Sequence, residues 1–410
     1  MSGRRILVIA HGHPDFSLGG GEIAAHNLFK GYRAHPAVEA AWFLGRVARN
    51  AHPPSGAIGT LRAGEFLWEQ AAGEHFASLT DTYFRQFEDL LRTLKPTVVH
   101  VHHYMHTGIG VLRAVKRIDP SIRLLLTLHE YLAICLNKGQ MVKAGSLRLC
   151  SESSIEACSQ CFPERPREDF WLHKHYMLGH FANVDQFVAP SEFLRQRYVS
   201  WGLPAEKIVV IENGQAEAAP LPPRALPADG TRNRFAFFGQ VNEFKGIDVL
   251  LQALAGMHRK ERRRLSVEIH AANLELQEEK FRDRIERLRA PLMEEGVLRW
   301  AGAYNSGDLA RRMAKIDWVL VPSIWWENSP MVIQEAFVHG RPVICSGIGG
   351  MAEKVRDGID GLHVDVGNPL DWADTLLRAA ETPGLWEKLR AGIRPPSTHA
   401  DCAEAHLALL

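Results

Sequence analysis

Arg234-Phe235-Ala236-Phe237-Phe238-Gly239 is a short apolar run closed by a glycine, and it follows a stretch with no apolar period at all. So short and so apolar a run reads as a strand that opens a series of parallel βαβ units. The stretch before it, Gln215 to Asp229, is rich in Ala and Pro (Pro220, Pro222, Pro223, Pro227) and reads as a linker. Downstream the rhythm continues through strand candidates Leu265 to His270, Val297 to Trp300, Asp317 to Pro322, Pro342 to Cys345 and Gly361 to Asp365, each followed by a helix candidate. Upstream the same alternation gives Arg5 to Ala10, Val38 to Leu44, Thr97 to His102, Leu124 to Leu128, Asp185 to Ala189 and Lys207 to Ile211. Asp81 to Leu94 and Gly108 to Lys116 read as helices, and Ser191 opens another. Alternation of this kind marks parallel βαβ units rather than a sandwich. The expected fold is therefore α/β, with two doubly wound, Rossmann-like domains facing across a cleft. The expected boundaries are 1–214, a linker at 215–232, and 233–392. A tail helix over 393–410 follows the break at Arg394-Pro395-Pro396 and is expected to cross back to the first domain.

At 410 residues the chain exceeds the usual size of a single hydrophobic core, which agrees with two domains. Its 46% apolar and 23% charged content is that of an ordinary globular protein. Lys and Arg number 48 against 47 Asp and Glu, a net charge of +1, which argues against a nucleic-acid partner. The densest basic run, His258 to Arg264, reads as a solvated helix end, with peripheral contact to an anionic membrane as the alternative. No stretch approaches the ~20 apolar residues of a membrane span, and the N-terminus runs directly into a strand. A cytoplasmic protein is expected, at most peripheral at the inner membrane face.

The chemistry concentrates at Glu327-Asn328-Ser329-Pro330-Met331-Val332-Ile333-Gln334-Glu335. Pro330 suits a first helical position and Ser329 an N-cap, which leaves Glu327 in the loop and Glu335 inside the helix. Helical side chains lean toward the N-terminus, so both carboxylates can reach one ligand there. The amides and dipole of that helix end offer a seat for a phosphate between two acids that seek hydroxyls. Such a set suits a nucleotide sugar. Lys245, in the turn after the strand that ends in Gly239, can act as a point charge on a diphosphate. Gly19-Gly20-Gly21-Glu22 lies between a strand and a helix, where bare glycines allow a phosphate or sugar close to the backbone. His129-Glu130 ends the strand Leu124 to Leu128 and points toward the cleft. His100, His102, His103 and His106 alternate between strand faces and read as lining or packing rather than metal ligands.

Three motifs carry other readings. Gly347-Ile348-Gly349-Gly350-Met351-Ala352 fits the dinucleotide fingerprint and supports a rival NAD-dependent oxidoreductase, although it follows a late strand and not the first strand of its domain. Cys135, Cys150, Cys158 and Cys161 form C-x14-C-x7-C-x2-C within an insertion at about 135–165; structural zinc, a redox pair and unrelated thiols all fit that spacing. Cys345 and Cys402 read as core residues. Trp325-Trp326 reads as packing beneath the Glu327 loop or as a stacking surface for a base or sugar.

The order Phe238-Gly239-Gln240, Lys245-Gly246, Val321-Pro322-Ser323, Glu327, Glu335-Ala336, Gly349-Gly350 resembles the retaining nucleotide-sugar glycosyltransferases of family 4, which have the GT-B fold. The resemblance implies that Glu335 holds the ribose hydroxyls, Glu327 the donor sugar, Lys245 the diphosphate, and His129 the reacting sugar's hydroxyls. It places Gly20, Gly21, Gly239, Asn328, Ser329, Met331 and Val332 around the donor. That family commonly has Arg where this chain has Gln240, which leaves Lys245 and backbone amides to carry the leaving diphosphate. Arg46 is a candidate replacement cation. No D-x-D sequence occurs, so no catalytic metal or other cofactor is expected. The expected activity is sugar transfer from a nucleoside diphosphate sugar to a sugar or lipid-linked acceptor hydroxyl, in polysaccharide or glycoconjugate synthesis. A nonenzymatic sugar-binding protein is the remaining alternative.

Overall fold

The structure is a computed structural model that describes residues 3–17, 19–49, 56–71, 81–226 and 230–410. It divides into two compact units, Met1–Gly214 with Ser397–Leu410, and Gln215–Pro396. The first carries strands β1 (Arg4–Ala10), β2 (Val38–Arg49), β3 (Ile58–Arg62), β4 (Glu65–Ala71), β5 (Val98–Val101), β6 (Arg123–Thr127), β7 (Gln186–Ala189) and β8 (Ile208–Val210). Its helices are α1 (Gly20–Ala34), α2 (Asp81–Leu94), α3 (Gly110–Ile118), α4 (Ile155–Cys161), α5 (Arg167–Phe181) and α6 (Glu192–Trp201). Spatial order is β3-β4-β2-β1-β5-β6-β7-β8, with every pairing parallel except β3 with β4. The β3-β4 hairpin is absent from the sequence reading: Ile58 to Arg62 has no clean alternation of apolar and polar residues, and only Trp68 stands out as core. Ser191 caps α6 as expected, accepting from the Leu194 amide at 3.2 Å.

The second unit has a six-stranded, wholly parallel sheet. It comprises β9 (Arg234–Gln240), β10 (Ser266–Ala272), β11 (Leu298–Trp300), β12 (Trp318–Val321), β13 (Val343–Ser346) and β14 (Gly361–Val364), in spatial order β11-β10-β9-β12-β13-β14. Helices α7 (Ile247–Gly256), α8 (Arg259–Arg262), α9 (Glu279–Glu294), α10 (Ser306–Met313), α11 (Met331–Val338), α12 (Gly349–Lys354), α13 (Pro369–Glu381) and α14 (Leu385–Gly392) connect or follow them. The run that opened the sequence reading is buried on both faces. Phe235 and Phe237 join one apolar cluster with Leu250, Leu254 and Ile285, while Ala236 and Phe238 join another with Met313 and Ile333. Two doubly wound Rossmann-like sheets result. In each, the chain reverses direction across the sheet beside its first strand, at β1/β5 and at β9/β12, and ligands of such folds bind beyond the carboxyl ends at these points.

The Pro-rich stretch is irregular but tied down, with Pro227 outside the described residues. Arg341, fully buried, donates through Nη2 to the Pro222 carbonyl at 2.9 Å and through Nε to that of Met313 at 2.9 Å. Arg224 and Arg232 pair with the buried Asp317 at 2.7 and 3.4 Å, and Asp317 also accepts from the Arg234 amide at 3.1 Å. Asp317→Ala is expected to cost about 3–5 kcal/mol, because it takes the carboxylate from the desolvated Arg224 and leaves Arg232 only its pair with the half-exposed Glu387 at 2.9 Å. A urea denaturation midpoint unchanged from the parent would contradict this. At the other end of the chain, α15 (His399–Leu407) packs Cys402, Ala403 and Leu407 into the cluster formed by Ala25, Leu28, Phe29 and Tyr32 of α1. Among the described residues, no helix is long and apolar enough to cross a membrane. The basic run 258–264 holds α8, with Arg262 paired to Glu295 at 2.8 Å and Arg264 to Glu381 at 2.6 Å.

Candidate active site

In the second unit, two loops meet at the β9/β12 reversal. The loop after β9 turns at Asn242, whose side chain accepts from the amides of Phe244 and Lys245 at 3.0 and 3.1 Å. The turn ends at Gly246, with φ of 67°, where a Cβ would lie 1.9 Å from the Pro322 carbonyl oxygen. Only glycine allows this approach, and it brings Lys245 against the loop after β12. Lys245 Nζ then lies 2.6 Å from Glu327 Oε1. Ser323 Oγ and Trp325 Nε1 donate to the same oxygen at 2.7 and 2.9 Å, so Oε2 is left for another partner. Burial opposes ionisation of Glu327, but the charge and hydrogen bond of Lys245, with Ser323 and Trp325, outweigh it and hold the carboxyl below its usual range. A buried, ionised, fixed carboxylate results. Gly246→Ala should cost roughly 1–3 kcal/mol of stability and lower turnover at least tenfold by displacing Lys245. A variant with parental melting and kinetics would refute that account of the turn.

The loop is also braced from below. Gly350 donates its amide to the Glu327 carbonyl at 2.8 Å, and a Cβ there would lie 2.0 Å from the Asn328 carbonyl oxygen. The glycine-rich fingerprint thus serves close packing of α12 on the Glu327 loop. Its strand, β13, lies between β12 and β14 rather than at the reversal, and this removes the main ground for the dinucleotide reading.

The helix start differs from the expectation. Pro330, with ψ of 112°, is itself the N-cap of α11, and no side chain caps the helix. Ser329 lies one position earlier, and its Oγ is buried without a hydrogen-bond partner. The preset φ of Pro330 fits the cap as well as the first turn, which moves Ser329 outside the helix. Glu335, one turn into α11, is half-buried. Burial with no compensating cation or donor pushes its carboxyl up to about 7. Tyr304 lies close enough to Glu335 that burial and then this carboxylate's charge raise its phenol. Tyr304 also packs edge-on against Phe238, at 5.5 Å between centroids. Two acids eight residues apart thus have opposite electrostatics: Glu327 is paired and ionised, whereas Glu335 lacks a partner.

In the first unit, His11, His102, His103 and His129 gather beyond β1, β5 and β6. His129 Nε2 lies 3.1 Å from His102 Nδ1, and His11 and His103 rings are 4.5 Å apart. Burial, followed by the neighbouring His11 and His406, lowers His129 to about 3, so it acts as a neutral hydrogen-bonding group at physiological pH. His100 and His102 share a face, at 4.4 Å between rings, as alternation requires. The glycine loop is not bare. A Cβ on Gly19 would meet Glu22 Oε2 at 2.2 Å, and Glu22 accepts from Ser17 Oγ at 2.7 Å with His11 Nε2 3.4 Å away. An acid of the chain's own already occupies that helix start, while Gly21 faces His11 and His129. Arg46 lies near enough to His11 to disfavour its protonation.

Ser323, Tyr304 and Glu22 escaped the sequence analysis as site groups, and Trp325, expected to pack beneath the loop or stack on a ligand, is instead a donor to Glu327. Ser323-x3-Glu327 and Trp325-x-Glu327 were visible spacings, but in an irregular loop neither spacing implies an aim. A second network was equally hidden: Glu65 Oε2 lies 3.0 Å from the Nε2 atoms of both His13 and His26, with Arg62 donating to both carboxylate oxygens. Among the described residues this trio is the one set of possible metal ligands within 4.8 Å of one another. Arg62 already neutralises its carboxylate, so it reads as a satisfied brace between the β3-β4 hairpin and α1.

Residues 18–215 match the model of Glycosyltransferase Family 4, and residues 232–382 match that of Glycosyl transferases group 1. The chain belongs to glycosyltransferase family 4. It is similar to a D-inositol 3-phosphate glycosyltransferase of Nocardioides sp., 34% identical over 72% of this chain and 62% of that protein. A protein of the same description from Streptomyces bingchenggensis is 26% identical over 72% of this chain and 61% of its own length. The chain thus spans about three fifths of these relatives. Among solved structures, the sucrose-phosphate synthase of Thermosynechococcus elongatus superposes with a TM-score of 0.68 over 99% of this chain and 98% of that one, at 17% identity. Anabaena HepE, solved in complex with UDP-glucose, gives 0.63 over 99% and 100%, at 15% identity. The chain has the two-domain, Rossmann-like GT-B fold.

Proposed function

We propose that this family 4 glycosyltransferase moves a hexosyl unit from a nucleoside diphosphate sugar to an acceptor hydroxyl, with retention of anomeric configuration. The observation that carries the reading is the contrast within 327–335: Glu327 is held ionised by Lys245 with Oε2 unengaged, and Glu335 is half-buried with no partner. A vicinal diol supplies the two donors that Glu335 lacks, and a nucleotide ribose presents one. Glu327 Oε2 accepts from a hydroxyl of the donor sugar. Negative charge that develops on the departing diphosphate falls to Lys245, to Ser329 Oγ and to the amides of Met331 and Val332, with Gly239 and Asn328 lining the donor. The neutral His129 holds a hydroxyl of the reacting sugar, and Gly20 and Gly21 border that sugar or the acceptor. Retention is what the family resemblance implies; it is not a consequence of the spacing.

The solved complex of HepE with UDP-glucose and the relatives described as D-inositol 3-phosphate glycosyltransferases support a nucleoside diphosphate hexose as donor and a hydroxyl-rich acceptor, in glycoconjugate or polysaccharide synthesis. A cytoplasmic location follows from the nucleotide-sugar pool. The ion pairs of Arg262 and Arg264 weaken the case for lipid contact through 258–264. The test is a panel of nucleoside diphosphate hexoses offered with polyol-phosphate, sugar and lipid-linked acceptors, scored by release of nucleoside diphosphate and by the anomeric proton coupling of the product. Release from at least one donor, with retained configuration and no stimulation by added magnesium or manganese, is expected. Binding without release from any donor would favour the sugar-binding alternative, and inverted product would overturn retention.

A further inference from the structure

Directly after His129-Glu130, the chain leaves the sheet for the segment 131–162. The base of this segment is buried through Tyr131, Ala133, Ile134, Met141 and Val142, but α4 at its far end has no buried residue. Apolar burial is therefore thinner at α4 than at the base of the segment. Four thiols are what the parts of the segment share. Cys135 precedes a turn in which the Gly139 amide donates to the Cys135 carbonyl at 2.9 Å. The Val142–Leu149 bridge returns the chain so that the Cys150 amide meets the Met141 carbonyl at 2.9 Å. Ser154 caps α4, where Cys158 and Cys161, three residues apart, share a helix face. All four cysteines line one pocket, and none is in a disulfide. Cys158 Sγ lies 3.5 Å from Ser153 Oγ, and Cys150 Sγ donates to the Glu152 carbonyl at 3.1 Å.

We infer that Cys135, Cys150, Cys158 and Cys161 bind one zinc ion as a structural centre that fixes α4 and the 131–162 segment. Binding exchanges four thiol protons for one Zn2+, giving a tetrathiolate of net charge −2 and four released protons. Lys143, whose Nζ donates to the Ala157 carbonyl on α4 at 3.1 Å, offsets part of that charge. Tetrahedral ligation at about 2.3 Å puts the sulfurs ~3.8 Å apart. The His13, His26 and Glu65 trio, and not these thiols, meets the 4.8 Å spacing, so metal uptake contracts the cysteine pocket. Because Gly139 packs against Leu132 and Glu130, the centre also steadies the wall beside His129.

The test is metal analysis of the full chain purified without added zinc, with mercurial titration of its thiols. One zinc per chain is expected, released in step with modification of four thiols, and cobalt in its place should show the intense near-ultraviolet charge-transfer absorption of a tetrathiolate site. Cys158→Ser combined with Cys161→Ser should abolish zinc retention, whereas Cys345→Ser and Cys402→Ser keep it. Protein with less than about one tenth of a zinc per chain and unaltered melting after chelation would overturn the inference. Disulfides among the four cysteines by mass mapping would do the same.

Discussion

Lys245→Ala is expected to lower kcat by about 10²–10³-fold while changing the affinity for the nucleoside diphosphate by less than about tenfold. Glu327 keeps two of its three donors, Ser323 and Trp325, so the carboxylate stays in place. The loss falls instead on the charge that appears as the diphosphate leaves, which is greater in the transition state than in the bound donor. With Gln240 where the family commonly has Arg, no second cation of the β9 loop shares that load. A second signature follows from linkage. Glu327 lies below its usual carboxyl range because Lys245 offsets burial, so removing Lys245 raises its pKa and moves the acid limb of activity to higher pH. Parental kcat with an unmoved acid limb would show that Lys245 is only a structural partner of Glu327.

Glu335→Gln has a two-sided expectation. The carboxyl is pushed up to about 7 from an ordinary 4.5, so between these values the folded protein holds a proton that the unfolded chain has released. Stability contributed by the protonated form is then complete at low pH and lost as pH rises through 7. The amide variant carries no such penalty and should be more stable than the parent at pH 8, by roughly 1–3 kcal/mol, and nearly equal to it at pH 5. Nucleotide binding runs the other way. Ribose hydroxyls favour the ionised acid, so parental affinity should rise about tenfold from pH 6 to pH 8. The variant should bind tenfold to a hundredfold more weakly at pH 8, with a flatter profile. Calorimetric titrations at both pH values, paired with melting curves, check both signs; weaker binding together with lower stability at pH 8 would indicate a damaged helix.

Much of the fold was legible because its parallel strands are buried on both faces, so runs such as Phe235 to Phe238 and Leu124 to Leu126 are apolar without interruption. The β3-β4 hairpin was not, since an edge hairpin with one exposed face carries a weaker pattern. The pair Glu327 and Glu335 could be read from the proline and from helix geometry. Their unequal electrostatics could not, because Lys245 stands 82 residues from Glu327 in sequence and meets it only through the closeness of Gly246 to Pro322. Gly19 to Gly21 misled in a specific way: glycines admit any close neighbour, and here the neighbour is Glu22 of the same helix. Ser329 was misplaced by one residue because Pro can cap a helix as well as open it.

The most direct measurement is a crystal structure of the chain bound to a nucleoside diphosphate hexose that it turns over. The ribose hydroxyls should lie within hydrogen-bond distance of Glu335, a sugar hydroxyl at Glu327 Oε2, and the diphosphate between Lys245 and the first turn of α11. A donor seated away from residues 327–335, or a ribose held by other groups with Glu335 untouched, would contradict the account.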